Sequence, residues 1–179
     1  ILNCKEAEHL PGYYVTRNLC KLAAENNLRI GFYGGEKESL DQCVSNLREE
    51  YQGLKINYAY SPPFKILSNE EKKKIIKDIS DSEIEILFVC LGCPKQEYWM
   101  AEHKDHLKCI SVGIGEAVNI LSNKTKIGYK WVEKIGMRWM FRLMMEPRRL
   151  FWRFFYSNFK FIYLFLKQYL RFKIDNKKN

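Results

Sequence analysis

The stretch that decides the fold is Ile84-Glu85-Ile86-Leu87-Phe88-Val89-Cys90-Leu91, followed by Gly92-Cys93-Pro94-Lys95-Gln96-Glu97-Tyr98-Trp99. Its first half is a nearly continuous apolar run, too short for a typical helix, and predicts a strand buried on both faces as in a parallel sheet. The glycine and proline that follow end the strand and open a helix over Lys95–His103. Upstream the same alternation recurs. A helix is expected at Val15–Asn26 and a strand at Leu28–Tyr33 that closes on Gly34-Gly35. Ser39–Tyr51 carries Leu40, Cys43, Val44 and Leu47 at helical spacing, and a second strand follows at Leu54–Tyr60. Ser61-Pro62-Pro63-Phe64 is a loop because two prolines withhold backbone donors, and Asn69–Ser80 is a charged helix. Downstream, Leu107–Val112 reads as a strand ending at Gly113-Ile114-Gly115, before a helix through Leu121. Strands alternating with crossover helices predict an α/β fold: a parallel, Rossmann-like sheet with helices on both faces.

Sheets of this kind bind ligands beyond the carboxyl ends of their strands. Gly34 and Gly35 stand at one such end, ahead of a helix whose free N–H groups suit a phosphate; the competing reading is a glycine that merely ends a strand. No Gly-Lys-Ser/Thr and no third glycine follows, so neither a P-loop nor a dinucleotide fingerprint is present. At the second end, Pro94 pre-sets a first-turn φ and brings Lys95, Gln96 and Glu97 to the rim. Lys95 offers a point charge to phosphate, Gln96 a donor and acceptor to a sugar or amide, and Glu97 a cap or a hydroxyl acceptor. A capped helix with a solvated face is the competing reading there.

The chain has 179 residues, 46% of them apolar and 28% charged, which suits a folded domain and excludes disordered or low-complexity classes. Its formal charge of +9 is unevenly placed. Residues 124–179 hold 15 Lys/Arg against three acids, and residues 1–123 hold 15 against 18. Two domains are therefore expected: an α/β body over 1–123 and a basic helical appendage over 124–179. The appendage reads as a helical hairpin, Tyr129–Met145 and Glu146–Leu170, turning at Glu146-Pro147-Arg148-Arg149-Leu150. Arg153, Lys160 and Lys167 interrupt its apolar stretch, each costing about 2.5–3.5 kcal/mol at mid-membrane, so a span is disfavoured. Spaced by seven, they mark one side of a helix lying in a membrane interface, cations toward anionic headgroups and aromatics in the acyl boundary. Docking on another subunit is the competing reading. Clustered Arg138, Arg142, Arg148 and Arg149 suit a diphosphate, since guanidinium groups bind oxyanions bidentately. Interleaved Trp131, Trp139, Phe141 and Trp152 would also fit base stacking.

Of six cysteines, Cys20, Cys43, Cys90 and Cys109 lie among apolar residues, as buried free thiols do in a reducing cytoplasm. Cys90 and Cys93 form a C-x-x-C, but His9, His103 and His106 supply no second ligand pair, so neither metal nor redox cofactor is expected. Ile1 leads directly into charged residues without a signal pattern or initiator Met, and the chain is expected to begin inside a longer protein.

Taken in order over residues 12–155, these landmarks resemble the WecG/TagA/CpsF family of bacterial glycosyltransferases. The matching segments are Gly31–Gly35, Tyr60-Ser61-Pro62-Pro63-Phe64, Gly92 through Trp99, Gly113-Ile114-Gly115, and Gly136–Leu143 with Glu146-Pro147-Arg148-Arg149-Leu150. The resemblance implies transfer of an N-acetylmannosamine-type or related hexose from a UDP-sugar to a polyprenyl-diphosphate-linked acceptor, as in teichoic acid, capsule or exopolysaccharide synthesis, without metal or cofactor. It places Gln96, with Lys95 and Glu97, at the nucleotide-sugar pocket and Arg142, Arg148 and Arg149 at diphosphate groups. The implied partners are the UDP-sugar, the lipid-linked acceptor and the anionic inner leaflet; a second copy is a further candidate and nucleic acid is not expected. The implied location is the cytoplasmic face of the bacterial membrane, peripherally bound.

The chain also departs from the pattern. The family's Thr-x-Asn stretch and the Asp-Gly bearing its proposed general base lie upstream of the matched part, so no catalytic residue is assigned here. Arg17 stands in Thr16-Arg17-Asn18-Leu19 where glycine is usual, Val118-Asn119 replaces Phe-Asp, and Arg138-Trp139 replaces Glu-Trp. Asn119 is kept as a substrate-binding candidate at the third glycine turn. The alternative expectation is an inactive family remnant that binds membrane or a partner.

Overall fold

The computed structural model describes residues 11–124, 140, 143, 144 and 147–175, the last of these with side chains only in part. The chain divides into two compact units, Ile1–Lys126 and Ile127–Asn179.

In the first unit the elements run α1 (Gly12–Glu25), β1 (Arg29–Gly34), α2 (Lys37–Glu50), β2 (Lys55–Tyr60), α3 (Asn69–Asp81), β3 (Ile86–Cys90), α4 (Lys95–His103), β4 (Ile110–Gly113) and α5 (Ala117–Leu121). The four strands form one parallel sheet in the order β2-β1-β3-β4, so the chain reverses its direction of travel across the sheet between β1 and β3. All five residues of β3 are buried, and alternation decides what each meets. Ile86, Phe88 and Cys90 join Ile30 and Phe32 of β1 under α1, α2 and α5, with the Phe32 and Phe88 rings stacked at 4.9 Å. Leu87 and Val89 join Tyr33 on the opposite face, against Ile75 and Ile79 of α3 and Trp99 and Met100 of α4. Each such side chain contributes about 1.5–3 kcal/mol on burial, and a strand covered on both faces needs apolar residues at every position. The expected α/β sheet with helices on both faces is the fold observed.

Local chemistry sets the helix starts. Ser68 Oγ accepts from the Glu71 amide at 3.2 Å while Glu71 Oε2 accepts from the Ser68 amide at 2.8 Å, a reciprocal cap that fixes the start of α3 at Asn69. One expectation shifts: the strand read from Leu107 begins only at Ile110, where pairing with Ile86 starts. Leu107 is buried from the preceding turn against the α3/α4 side of the core. An apolar run reports burial, and the ladder begins only where a partner strand is in reach.

The second unit contains α6 (Pro147–Asp175), which extends the helix expected over Glu146–Leu170. Of the expected helix Tyr129–Met145, only Met140, Leu143 and Met144 are described, and they are helical; the rest lies outside the described residues. Along α6, aromatic rings stack one turn apart: Phe151 on Phe155 at 5.9 Å, Phe155 with Phe159 at 4.5 Å, Phe161 on Phe165 at 6.1 Å and Phe165 on Tyr169 at 6.4 Å. At 3.6 residues per turn, positions 149, 153, 160, 167 and 171 share a stripe roughly 40° wide, and the aromatic ladders centre on the opposite side. Among the described residues no helix is long and apolar enough to cross a membrane.

Candidate functional site

The strand order reverses between β1 and β3, and beyond the carboxyl ends at such a switch point is where open α/β sheets bind ligands. Three glycine turns gather at this edge. Gly34 adopts φ 104°, and a Cβ there would lie 2.9 Å from the Cys90 carbonyl carbon and 2.9 Å from Leu91 Cδ2. Any side chain would wedge the two strand ends apart. Gly35 continues the turn at φ 81°, and its carbonyl accepts a 2.6 Å hydrogen bond from Ser61 Oγ. The charges beside it are mutually neutralised: Lys124 pairs with Glu36, and Lys37 with Asp41 at 2.9 Å.

One residue here escaped the sequence reading. Ser39, in the first turn of α2, is buried, and its Oγ has no hydrogen-bond partner among the described residues. An unmade bond of that kind costs about 1–3 kcal/mol, so a buried hydroxyl one turn from Gly35 is a polar group in need of a partner. Its only signal was a small polar residue in register with the buried face of α2.

The second turn holds the most constrained side chain of the site. The Cys93–Pro94 peptide is cis, and Pro94 occupies the cap of α4, which begins, as expected, at exposed Lys95. Gln96 points inward and is only 6% exposed. Its Oε1 accepts from the Gly115 amide at 2.9 Å and its Nε2 donates to Glu97 Oε1 at 2.9 Å. A Cβ on Gly113 would come within 2.8 Å of Gln96 Nε2, so a side chain there would push the amide from this position. Gln96 therefore ties the second turn to the third and orients the exposed Glu97 carboxylate. Sequence spacing had placed Lys95, Gln96 and Glu97 side by side at the rim; the structure separates them into one buried link and two exposed charges.

Asn119 lies half-buried on α5, next to Val118, whose Cγ1 is 3.5 Å from the Cβ position of Gly35. The first and third turns are thus packed together from behind. The rim continues into an aromatic wall: Tyr33 lies 4.6 Å from Trp99, Trp99 stacks on His103 at 4.6 Å, and Tyr60 stacks on Tyr33 at 6.4 Å. Burial, reinforced by the nearby Tyr60, pushes the Tyr33 hydroxyl up to about 12, so it stays protonated at neutral pH. Burial likewise raises the Cys90 thiol, whose Sγ donates to the Tyr33 carbonyl at 3.3 Å, while Cys93 is exposed. The two ends of the C-x-x-C thus occupy different environments. Burial also takes Cys20 and Cys43 up to about 12, and Cys109 is half-buried.

An open groove of about 440 Å³ lies elsewhere, lined by Asp41, Val44, Ser45, Arg48, Glu49 and Ala59, and none of the three turns contributes to it. Of the basic candidates, Arg138 and Arg142 lie outside the described residues. Arg148, Arg149 and Arg153 are positions on α6, and Lys160 and Lys167 are exposed there.

Residues 1–175 match the family model described as "Glycosyl transferase WecG/TagA/CpsF family". The chain belongs to this family. The match extends beyond the segment 12–155 on which the resemblance was read. Similar curated proteins carry the name N-acetylglucosaminyldiphosphoundecaprenol N-acetyl-beta-D-mannosaminyltransferase. The Bacillus subtilis (strain 168) protein is 28% identical over 151 residues, which is 83% of this chain and 57% of the relative. The Bacillus spizizenii protein is 26% identical over 160 residues, 88% of this chain and 59% of the relative. That of Staphylococcus aureus (strain MW2) is 23% identical over 145 residues, 80% and 55%. The chain thus spans little more than half the length of the curated relatives it matches.

Proposed function

We propose that this chain supplies the donor-binding body and lipid-facing helix of a hexosyltransferase that moves an N-acetylmannosamine-type or related hexose from a UDP-sugar to a polyprenyl-diphosphate-linked acceptor. The observation that carries the reading is Gln96, buried at the carboxyl edge and bonded to both Gly115 and Glu97. Such a link makes the second and third turns one rigid rim next to the β1/β3 switch point, and rigid rims are what pre-position a donor. In this assignment the Gly34-Gly35 turn approaches the diphosphate with Ser39 behind it, and exposed Lys95 supplies a positive charge. The Glu97 carboxylate, held by Gln96, accepts from sugar hydroxyls, with Asn119 at the neighbouring turn. The transfer itself breaks the bond between the anomeric carbon and the UDP oxygen and forms one to the acceptor hydroxyl. That hydroxyl must lose its proton as it attacks, so a base is needed, and none is assigned among these residues.

Residues 124–179 are assigned to the acceptor side. The stripe of positions 149, 153, 160, 167 and 171 faces anionic headgroups, the exposed aromatic ladders enter the acyl boundary, and Arg138, Arg142, Arg148 and Arg149 serve diphosphate recognition. The enzyme then works peripherally at the cytoplasmic face of the membrane, in cell-surface polymer synthesis. The names of the relatives support the acceptor class, and the exposure of Phe161, Ile162, Tyr163, Leu164 and Phe165 supports the interfacial helix.

The test is calorimetric titration of the chain with UDP, together with transfer from UDP-N-acetylmannosamine to a polyprenyl-diphosphate-linked N-acetylglucosamine acceptor by the protein carrying it. Binding that weakens on Gln96→Ala, with transfer lost in step, is the expected result. No UDP binding and no transfer from any UDP-hexosamine would overturn the reading.

A further inference from the structure

The two outer strands of the sheet are β2 and β4, and their free edges are built differently. Along β2 the register with β1 skips Asn57, Lys55 is exposed at the start of the strand, and Arg48 Nη2 of α2 donates to the Ile56 carbonyl at 3.0 Å. A bulge, a lysine and a side chain bonded to the backbone are devices that keep an edge from taking another strand. Along β4 the register with β3 is regular from Ile110 to Gly113, and the strand carries no charge, proline or bulge. Ile110 is 69% exposed, although strands of a parallel sheet are ordinarily covered. The Ile110 amide donates to the Glu85 carbonyl and the Ile114 amide to the Val89 carbonyl, both at 2.9 Å. By alternation the Ser111 and Gly113 backbone groups face away from β3, and no other strand among the described residues pairs with them.

The crossovers indicate what belongs on that edge. Helix α2 carries the chain from β1 to β2 on one face of the sheet. On the opposite face α3 and α4 carry it the other way, from β2 to β3 and on to β4. Each face thus has one direction of travel, as right-handed crossovers require. Helix α1 packs on the face of α2 through Tyr13, Cys20 and Ala23 and delivers the chain into β1. A strand that feeds α1 must then lie on the β4 side of β1. The places next to β1 and β3 are filled, so the first open one is beyond β4. The start of α1 lies where such a strand would end: a Cβ on Gly12 would sit 3.3 Å from the carbonyl oxygen of Ile114, the residue after β4. The curated relatives, little more than half of whose length this chain spans, have length for such a strand outside the match. We propose that the free edge of β4 pairs in parallel with the strand of the same polypeptide that precedes α1. The carboxyl end of that strand then stands beside Gly113-Ile114-Gly115 and adds a wall to the candidate site. The pairing does not depend on which sugar or acceptor the site takes.

The experiment is nuclear magnetic resonance on the whole polypeptide that carries this chain, without substrate. The Ser111 and Gly113 amides are expected to exchange with solvent at least about 100-fold more slowly than free amides, at a rate unchanged by dilution. Scalar couplings across their hydrogen bonds are expected to lead to carbonyls of one segment N-terminal to Pro11, with the Overhauser contacts of a parallel ladder. Exchange at the rate of free amides overturns the proposal. So does protection that falls on dilution, with contacts between labelled and unlabelled molecules, which would make the edge an interface between copies. Coupling to a segment that follows Lys124 overturns it as well. Failure of the protein to bind UDP or transfer sugar would remove the proposed function and leave this ladder standing.

Discussion

Strand β3 and helix α6 are both built from large apolar side chains, yet the same chemistry meets opposite fates. The five residues of β3 are all buried, between helices on each face of the sheet. On α6, Phe155, Phe159, Phe161, Phe165 and Tyr169 stack on their own neighbours one turn away and remain exposed. The difference lies in layering. β3 sits in the middle of a sheet whose crossover connections supply cover on both sides, so its apolar content stabilises the fold. Helix α6 leaves described apolar side chains such as Phe161, Ile162, Leu164 and Phe165 exposed, and exposed apolar side chains on an amphipathic helix mark contact with something other than water.

The widest separation between the two regions should come from truncating one aromatic in each. Phe88→Ala is expected to cost about 3–5 kcal/mol in urea denaturation, through lost burial and the cavity left between layers. Phe165→Ala should change stability by less than about 0.5 kcal/mol, because little is removed that folding had buried. A large loss at Phe165 would break the comparison by showing that its face is covered.

The next effect belongs to the rim. Gln96→Ala leaves the Gly115 amide without its partner and should destabilise by about 1–3 kcal/mol. Gln96→Glu keeps the acceptor for Gly115 but sets a carboxylate against Glu97, so it should retain more stability while still weakening UDP binding in calorimetry. Equal stability losses in the two variants would show that Glu97, rather than Gly115, is the partner that matters.

A smaller change is expected from α6. Replacing one exposed lysine, Lys167→Gln, should weaken binding to anionic vesicles by about 1 kcal/mol, about fivefold, with unfolding unaffected. Partitioning that ignores this charge would remove the electrostatic half of the interfacial reading.

The smallest effect tests the departure at Arg17. This arginine, standing where the family usually has glycine, bonds Glu50 through Nη2 at 2.6 Å and Nε at 3.0 Å, joining α1 to α2. Burial pushes the Glu50 carboxyl up, but hydrogen bonds from Arg17 and Tyr51 outweigh it and leave the group below its ordinary value. With the folded value depressed, the stabilisation is complete above the unfolded pKa and is lost as pH falls through the folded one. Because the pair is largely exposed, Glu50→Gln should cost about 0.2–1 kcal/mol at pH 7. Below the depressed value, the variant and the parent should unfold alike in an acid titration followed by circular dichroism.

Much of this architecture was legible in the residues. The run Ile86–Cys90 announced a strand buried on both faces, and Lys95–His103 was read with the bounds that α4 has. The reciprocal cap at Ser68 and Glu71 is a local device, and local devices can be read from spacing alone. Leu107 misled because apolar content marks burial and not hydrogen-bond pairing. In the candidate site, the residue types at the second turn were legible, but the inward turn of Gln96 was not. That orientation depends on Gly113 and Gly115, which lie 17 and 19 residues away in sequence. Ser39 was invisible for the same reason: whether a buried hydroxyl has a partner is a property of its surroundings.

The sequence by itself determined the alternation of strands and helices, the glycines at the strand ends, the charge divide at residue 123 and the family. These follow from periodicity, backbone conformational limits and motif spacing, all of which act over a few neighbouring residues. The tertiary structure alone decided the strand order that reverses between β1 and β3, the coupling of two turns through one buried amide, and the free edge of β4. Those depend on which distant segments come into contact, and contact between distant segments is settled only when the layers pack.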